Sequence, residues 1–126
     1  MTLVKHVLDI KGHYVYAIHP GALVFDALRM MADNNVGSLV VLDDEKLVGI
    51  ITERVYAREI ALKGRTSSET LVADVMSTHV PCVRPEQSVE ECMAIMTKRA
   101  VRHLPVLDSG RVIGIVSIGD MAVSYT

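Results

Sequence analysis

The chain has 126 residues, half of them apolar and 22% charged, with a formal net charge of −2, which excludes a disordered polyelectrolyte and any general attraction to nucleic acid or an anionic membrane. There is no Trp and only five other aromatic rings, so the core has to be built from Val, Ile, Leu and Met. Two cysteines, Cys82 and Cys92, without CxxC spacing argue against a disulfide framework or a cysteine zinc site, and no apolar stretch of spanning length or signal-peptide core leaves a reduced cytoplasmic protein as the expectation.

In chain order, Val15–Ile18 reads as a short strand that ends near Pro20, whose ring disfavours helix at the residue before it. A helix follows, because Val24, Ala27, Leu28 and Met31 sit at i, i+3, i+4 and i+7. Leu39–Leu42 is an apolar strand that stops at the turn-forming pair Asp43-Asp44. The chain resumes as Leu47–Thr52, too continuously apolar to be half exposed. A last helix over Glu53–Leu62 closes at Gly64, and Arg65–Thr70 reads as a linker. The same series then returns as strand Val80–Val83 and a helix carrying Val89, Cys92, Met93 and Met96. Ser88 and Glu91 form a capping box at the start of that helix. Strand Leu104–Leu107, turn Asp108-Ser109-Gly110, strand Val112–Ser117 and helix Gly119–Ser124 complete the second series.

The return is a duplication. With residue n written over n+65, residues 7–61 and 72–126 match at fourteen of fifty-five positions without a gap. The matched pairs include Pro20/Pro85, Asp43/Asp108 and Gly49/Gly114, residue types that each fix a backbone feature. The fold class is therefore α/β: two β-α-β-β-α repeats, 7–64 and 72–126, each with a right-handed parallel crossover followed by an antiparallel hairpin. One copy alone buries too small a fraction of its surface, so the expectation is two copies packed through their sheets with pseudo-twofold symmetry.

Each third strand runs into a helix through a hydroxyl residue, in Gly49-Ile50-Ile51-Thr52-Glu53-Arg54-Val55 and in Gly114-Ile115-Val116-Ser117-Ile118-Gly119-Asp120. One reading is a capping box, with Ser117 as N-cap and Asp120 reaching back to its amide. The other is a nucleotide site. A helix start offers unpaired N–H groups and partial positive charge to a phosphate, and a carboxylate one turn in accepts from a ribose diol. Gly114 leaves room for close backbone approach.

The duplicated unit, the Val-Arg-His-Leu-Pro-Val-Leu-Asp run at 101–108 and the Gly-Ile-Val-Ser-Ile-Gly-Asp run at 114–120 resemble a cystathionine-β-synthase (CBS) domain pair, or Bateman module. Gly49-Ile-Ile-Thr-Glu-Arg, Tyr56-Ala-Arg-Glu and Leu62-Lys-Gly-Arg-Thr-Ser-Ser resemble small stand-alone bacterial members. The resemblance implies a regulatory module, not an enzyme, that binds an adenosine ligand (AMP, ADP, ATP, NAD or S-adenosylmethionine) in the cleft between repeats. It also implies a homodimer read by a downstream protein. Carried over by position, Ser117 would hold phosphate and Asp120 ribose, facing Lys11, Tyr16, Val36, Gly37 and Ser38, with Arg102 as a further phosphate contact. The related site would use Thr52, Arg54 and His103. Val55 stands there in place of the family aspartate, so that site is expected to be weak or empty, because valine cannot accept from a diol.

The remaining constellations compete with plainer explanations. Five histidines show no metal-ligand spacing. Cys82 or Cys92 with His79 could form a thiol nucleophile, but Cys92 falls on an apolar helical stripe. The clusters Lys98, Arg99, Arg102, His103 and Arg54, Arg58, Lys63, Arg65 are solvated faces unless a pocket recruits them. Met30, Met31, Met93 and Met96 fill the core or line a dimer contact. The competing function is a structural protein–protein interaction module whose nucleotide sites have decayed. A nucleic-acid binder is disfavoured by charge and by the scarcity of rings.

Overall fold

The structure, a computed structural model, describes residues 1–125; Thr126, the last residue of the second copy, lies outside the described residues. The elements are α1 (Val4–Lys11), β1 (Ala17–Ile18), α2 (Val24–Asn34), β2 (Ser38–Asp43), β3 (Lys46–Thr52) and α3 (Glu53–Tyr56), which continues as a π-helical turn over Ala57–Ala61. A 3-10 turn at Ser67–Glu69 leads to α4 (Val72–Val75), α5 (Val89–Arg99), β4 (His103–Asp108), β5 (Arg111–Ser117) and α6 (Ile118–Tyr125).

The chain forms two compact units, Tyr16–His79 and Met1–Val15 with Val80–Thr126. Each unit thus takes its leading helix from the other copy: α1 belongs with the second copy's strands and α4 with the first's. Five backbone contacts fix this. In one unit Val4 N–H bonds Gln87 C=O at 2.8 Å, Lys5 N–H bonds Pro85 C=O at 3.0 Å and Val89 N–H bonds Thr2 C=O at 3.0 Å. In the other, Val72 N–H bonds Ala22 C=O at 2.8 Å and Ala73 N–H bonds Pro20 C=O at 2.9 Å.

These bonds correct the gapless register. They place Val4 over Val72 and Lys5 over Ala73, 68 positions apart, whereas β1–β2 and its counterpart keep 65. Thr2-Leu3-Val4 and Val7 repeat as Thr70-Leu71-Val72 and Val75 at that wider spacing, so the Val7/Val72 and Asp9/Asp74 matches are coincidental. The first copy carries three additional residues here. Its helix α1 accordingly has eight residues against four in α4, and the repeat is α-β-α-β-β-α.

In the Tyr16–His79 unit, β2 is central, parallel to β1 (Ala17↔Val40, Ile18↔Val41) and antiparallel to β3. The second copy keeps the hairpin, β4 against β5, with a register shift at the equivalent place: Val106/Leu107 for Val41/Leu42. Its expected first strand shrinks to one parallel bridge, Val83↔Val106. The reason is Pro105. In the first copy Val40 N–H reaches Tyr16 C=O at 3.1 Å; proline at the equivalent position has no N–H to give. Both hairpins close through two-residue loops with positive φ, Asp44-Glu45 (48° and 68°) and Ser109-Gly110 (52° and 81°). Those torsions suit the right-handed twist of the strands, so the strands run one residue further into the turn than their apolar runs suggested.

Each unit has its own aliphatic core. Val4, Val7, Leu8, Val83, Val89, Cys92, Met96, Leu104, Val106, Val116 and Met121 form one. Ile18, Val24, Ala27, Met31, Leu39, Val41, Ile51, Ile60, Val72 and Val75 form the other. Full burial of such side chains supplies roughly 1.5–3 kcal/mol each. The glycines of the third strands admit the exchanged helical segments. A Cβ on Gly114 would lie 2.7 Å from Leu8 Cδ2, and one on Gly49 2.7 Å from Met76 Sδ and 2.8 Å from the Ser77 carbonyl oxygen. The room at Gly114 that the sequence assigned to a ligand is filled by Leu8.

Candidate functional site

The start of α6 is built from three bonds, two within the strand–helix junction and one to the residue before β4. Ser117 ends β5 and its Oγ accepts from the Asp120 N–H at 3.1 Å, while Asp120 Oδ2 accepts from the Ser117 N–H at 2.8 Å. Ile118 N–H, one of the amides that a helix start leaves unpaired, bonds the Arg102 carbonyl at 2.9 Å. The capping box is formed. It also brings a carboxylate and a hydroxyl together at one helix start, and Ser117 Oγ retains a proton to donate after accepting from Asp120.

Lys11 completes the group. Its ammonium donates to Asp120 Oδ2 at 2.8 Å and to the Ile115 carbonyl at 2.7 Å. The side chains of Lys11 and Asp120 keep 28% and 23% of their exposure, so the pair is partly shielded and open to an incoming group. Burial pushes the Asp120 carboxyl upward. The Lys11 hydrogen bond, the Ser117 amide and the lysine's charge together outweigh it and hold the carboxyl below its ordinary 3.8. Asp120 is an ionised acceptor at neutral pH.

The equivalent place in the other unit has the same frame and different chemistry. Thr52 Oγ1 accepts from the Val55 N–H at 3.1 Å, and Glu53 N–H bonds the Gly37 carbonyl at 3.1 Å, as Ile118 does with Arg102. Val55 supplies no carboxylate, and it packs with Met76 against the apolar core of that unit. The Ile50 carbonyl, counterpart of Ile115, accepts the Ser77 N–H at 2.9 Å. A backbone amide does there what the lysine does at Ile115.

The residues singled out in the sequence are divided between the units. Lys11, Arg102, His103, Ser117 and Asp120 lie in one, where His103 pairs across the ladder with Ser117. Tyr16, Val36, Gly37, Ser38, Thr52 and Arg54 lie in the other, where Ser38 pairs with Thr52 and is 6% exposed. In that second unit a hollow of about 260 Å³ is lined by Val36 and Gly37 together with Leu28, Met31, Ala32, Asn35 and Glu53. The Ile115 carbonyl was missed by the sequence reading, since a backbone oxygen leaves no residue-type signal.

Other candidates resolve into packing. Cys92 is fully buried, and burial followed by the neighbouring Glu91 charge pushes its thiol up to about 11; burial also raises Cys82. A thiol so raised is protonated at neutral pH and is a poor nucleophile. Among the described residues, no group of three or more His, Cys, Asp or Glu side chains is placed to hold a metal ion. Among the described residues, no helix is long and apolar enough to cross a membrane.

A family model described as "CBS domain" matches residues 7–61 and again 72–124. The CBS domain-containing protein CBSX3, mitochondrial, of Arabidopsis thaliana is 44% identical over 103 residues. That match takes in 78% of this chain, which spans only 50% of CBSX3. The crystal structure of a CBS domain, NE2398, is 47% identical and superposes with a TM-score of 0.94, covering 98% of this chain and 97% of that one. The CBS domain pair of MJ0100, solved in complex with 5′-methylthioadenosine and S-adenosyl-L-methionine, is 26% identical with a TM-score of 0.87 over 99% of this chain and 100% of that one. With two consecutive matches to the family model and a fold shared with these structures, the chain belongs to the CBS-domain family.

Proposed function

We propose that this chain is a regulatory module that binds one adenosine-containing ligand at the start of α6, with the ribose diol on Asp120 and a phosphate toward Ser117 and Arg102. The observation that carries this reading is the Ser117–Asp120 group itself: an ionised carboxylate and a hydroxyl converge on one helix start, with the backbone of Arg102 bonded to the first amide of that helix. A carboxylate with two oxygens can accept both hydroxyls of a diol. The complex of MJ0100 with two adenosine compounds supports the ligand class. AMP, ADP, ATP and NAD all present a diol and a phosphate in the required order. No bond is made or broken in this reading; ligand binding biases an equilibrium that a downstream protein reads, and the chain acts as a homodimer.

The Thr52 place lacks the acid, so the reading assigns one strong site per chain. A second reading, a structural interaction module, is favoured by the fact that Asp120 already serves as cap and ion-pair partner. Thermal melts with AMP, ADP, ATP, NAD and S-adenosylmethionine separate the two. A ligand present at a hundred times its Kd adds about 2.7 kcal/mol of stability, or roughly 10 °C for a chain of this length. Asp120→Ala, if it loses at least tenfold in affinity, should cut that shift by about half or more. No shift with any of the five ligands would leave the interaction module as the function.

A further inference from the structure

The two units differ at the candidate site by a linked pair of changes. The copy that carries Asp120 is served by the longer helix, α1, whose additional turn ends in Lys11; α4, which serves the Val55 unit, stops four residues after it starts. Lys11 has no counterpart there, because the Ile50 carbonyl is taken by the Ser77 backbone amide. The lysine and the acid are therefore present together or absent together.

Their charges decide what the site attracts. A lone carboxylate beside the position of a ligand phosphate repels it, and it attracts a cation such as the sulfonium of S-adenosylmethionine. The Lys11 ammonium, 2.8 Å from Asp120 Oδ2 and anchored at 2.7 Å by the Ile115 carbonyl, cancels that charge where it stands. What remains is the positive end of α6, which favours an anion. An ammonium has three N–H donors and these two bonds use two of them, so a third can serve a phosphate oxygen.

We propose that Lys11 is the specificity-determining residue of the Asp120 site, selecting phosphorylated adenosine ligands over the cationic S-adenosylmethionine. The inference rests on the nucleotide reading and deepens it. Lys11 does this by position and charge, and the residues that would hold the ribose are unchanged.

The test is calorimetric titration of ATP and S-adenosylmethionine into the full chain, comparing wild type, Lys11→Met, Lys11→Gln and Lys11→Arg at one ionic strength. Wild type should prefer ATP. Lys11→Met and Lys11→Gln should each lower the ATP-to-S-adenosylmethionine affinity ratio by about tenfold or more, which corresponds to about 1.4 kcal/mol. Lys11→Arg should keep the ratio within about threefold. Thermal melts identify any variant that fails to fold, and either neutral variant suffices. An unchanged ratio in a folded neutral variant overturns the inference, as does a wild-type preference for S-adenosylmethionine or an arginine variant that behaves like methionine. If wild type binds no ATP, the ratio is taken with whichever of AMP, ADP or NAD binds; if none of these and no S-adenosylmethionine binds the folded chain, the nucleotide reading itself falls and takes the inference with it. Binding of both ligand types with an unaltered ratio removes the inference alone.

Discussion

Lys11 and Asp120, 109 positions apart in the chain, meet at 2.8 Å, and the meeting depends on α1 being packed against the strands of the other copy. The pair ties three features together: the exchanged helix, the three-residue insertion that lengthens it, and the one copy that has an acid at the helix start. Because the Asp120 pKa is lowered in the fold, the stabilisation that its carboxylate provides is present above the unfolded value of 3.8 and lost as pH falls below it through the folded value. Stability of wild type minus Asp120→Asn, followed by urea unfolding, should be flat from pH 7 to pH 5 and decline below pH 4. A double-mutant cycle with Lys11→Met should give a coupling of about 1 kcal/mol at pH 7, since neither side chain is fully exposed.

The two third-strand glycines should differ in their tolerance of a methyl group. At Gly114 the added carbon meets the end of the Leu8 side chain, which can rotate; at Gly49 it meets the Ser77 carbonyl oxygen, part of the backbone. Gly114→Ala should cost about 1–2 kcal/mol, in the range of overpacking. Gly49→Ala should cost more. Denaturant midpoints of the two variants check the order, and equal costs would contradict the packing described.

Among the described residues, five besides glycine have positive φ, and two of them are neither Asn, Asp nor Ser, whose short polar side chains bond locally: Glu45 at φ 68° in the first hairpin and Ala100 at φ 53° closing α5. The second hairpin has Gly110 in the place of Glu45. Glu45→Gly and Ala100→Gly should each stabilise the protein by about 0.5–1 kcal/mol, because the relief of strain exceeds the added freedom of the unfolded chain. Both residues are exposed and lie in different units, so the effects should add when measured together by thermal melting.

Val55→Asp restores the repeat's symmetry on paper but not in physics. The new carboxylate would complete a capping box with Thr52, yet it would displace an apolar side chain from its packing and find no lysine, since α4 is too short to bring one. The expected outcome is a loss of about 1–2 kcal/mol and no second ligand site. A stabilised variant with doubled binding stoichiometry would contradict this.

Much of the fold was legible because its signals are local. The i, i+3, i+4, i+7 stripes of α2 and α5, the apolar hairpin strands and the Ser88–Glu91 box all depend on neighbours within one turn or one strand, and Ser88 Oγ does accept from Glu91 N–H at 3.1 Å. The Ser117–Asp120 spacing was visible for the same reason. What escaped depends on distance. Helix α1 is polar on one side and, at eight residues, shorter than the eleven of α2 and α5, and its true match to α4 is hidden by the insertion. Pro105 shortens a strand that lies more than twenty residues before it. The partner of Lys11 lies at the far end of the chain, which no spacing rule within a repeat can find.

One adenosine-ligand site per chain, held by Asp120, is what the asymmetry of the two units comes down to. Isothermal titration of AMP or ATP into wild type and Asp120→Ala tests it most directly. Wild type should bind with a stoichiometry of one per chain, and the variant should lose at least tenfold in affinity. Two equivalent sites per chain, or an Asp120→Ala variant that binds as tightly as wild type, would contradict it.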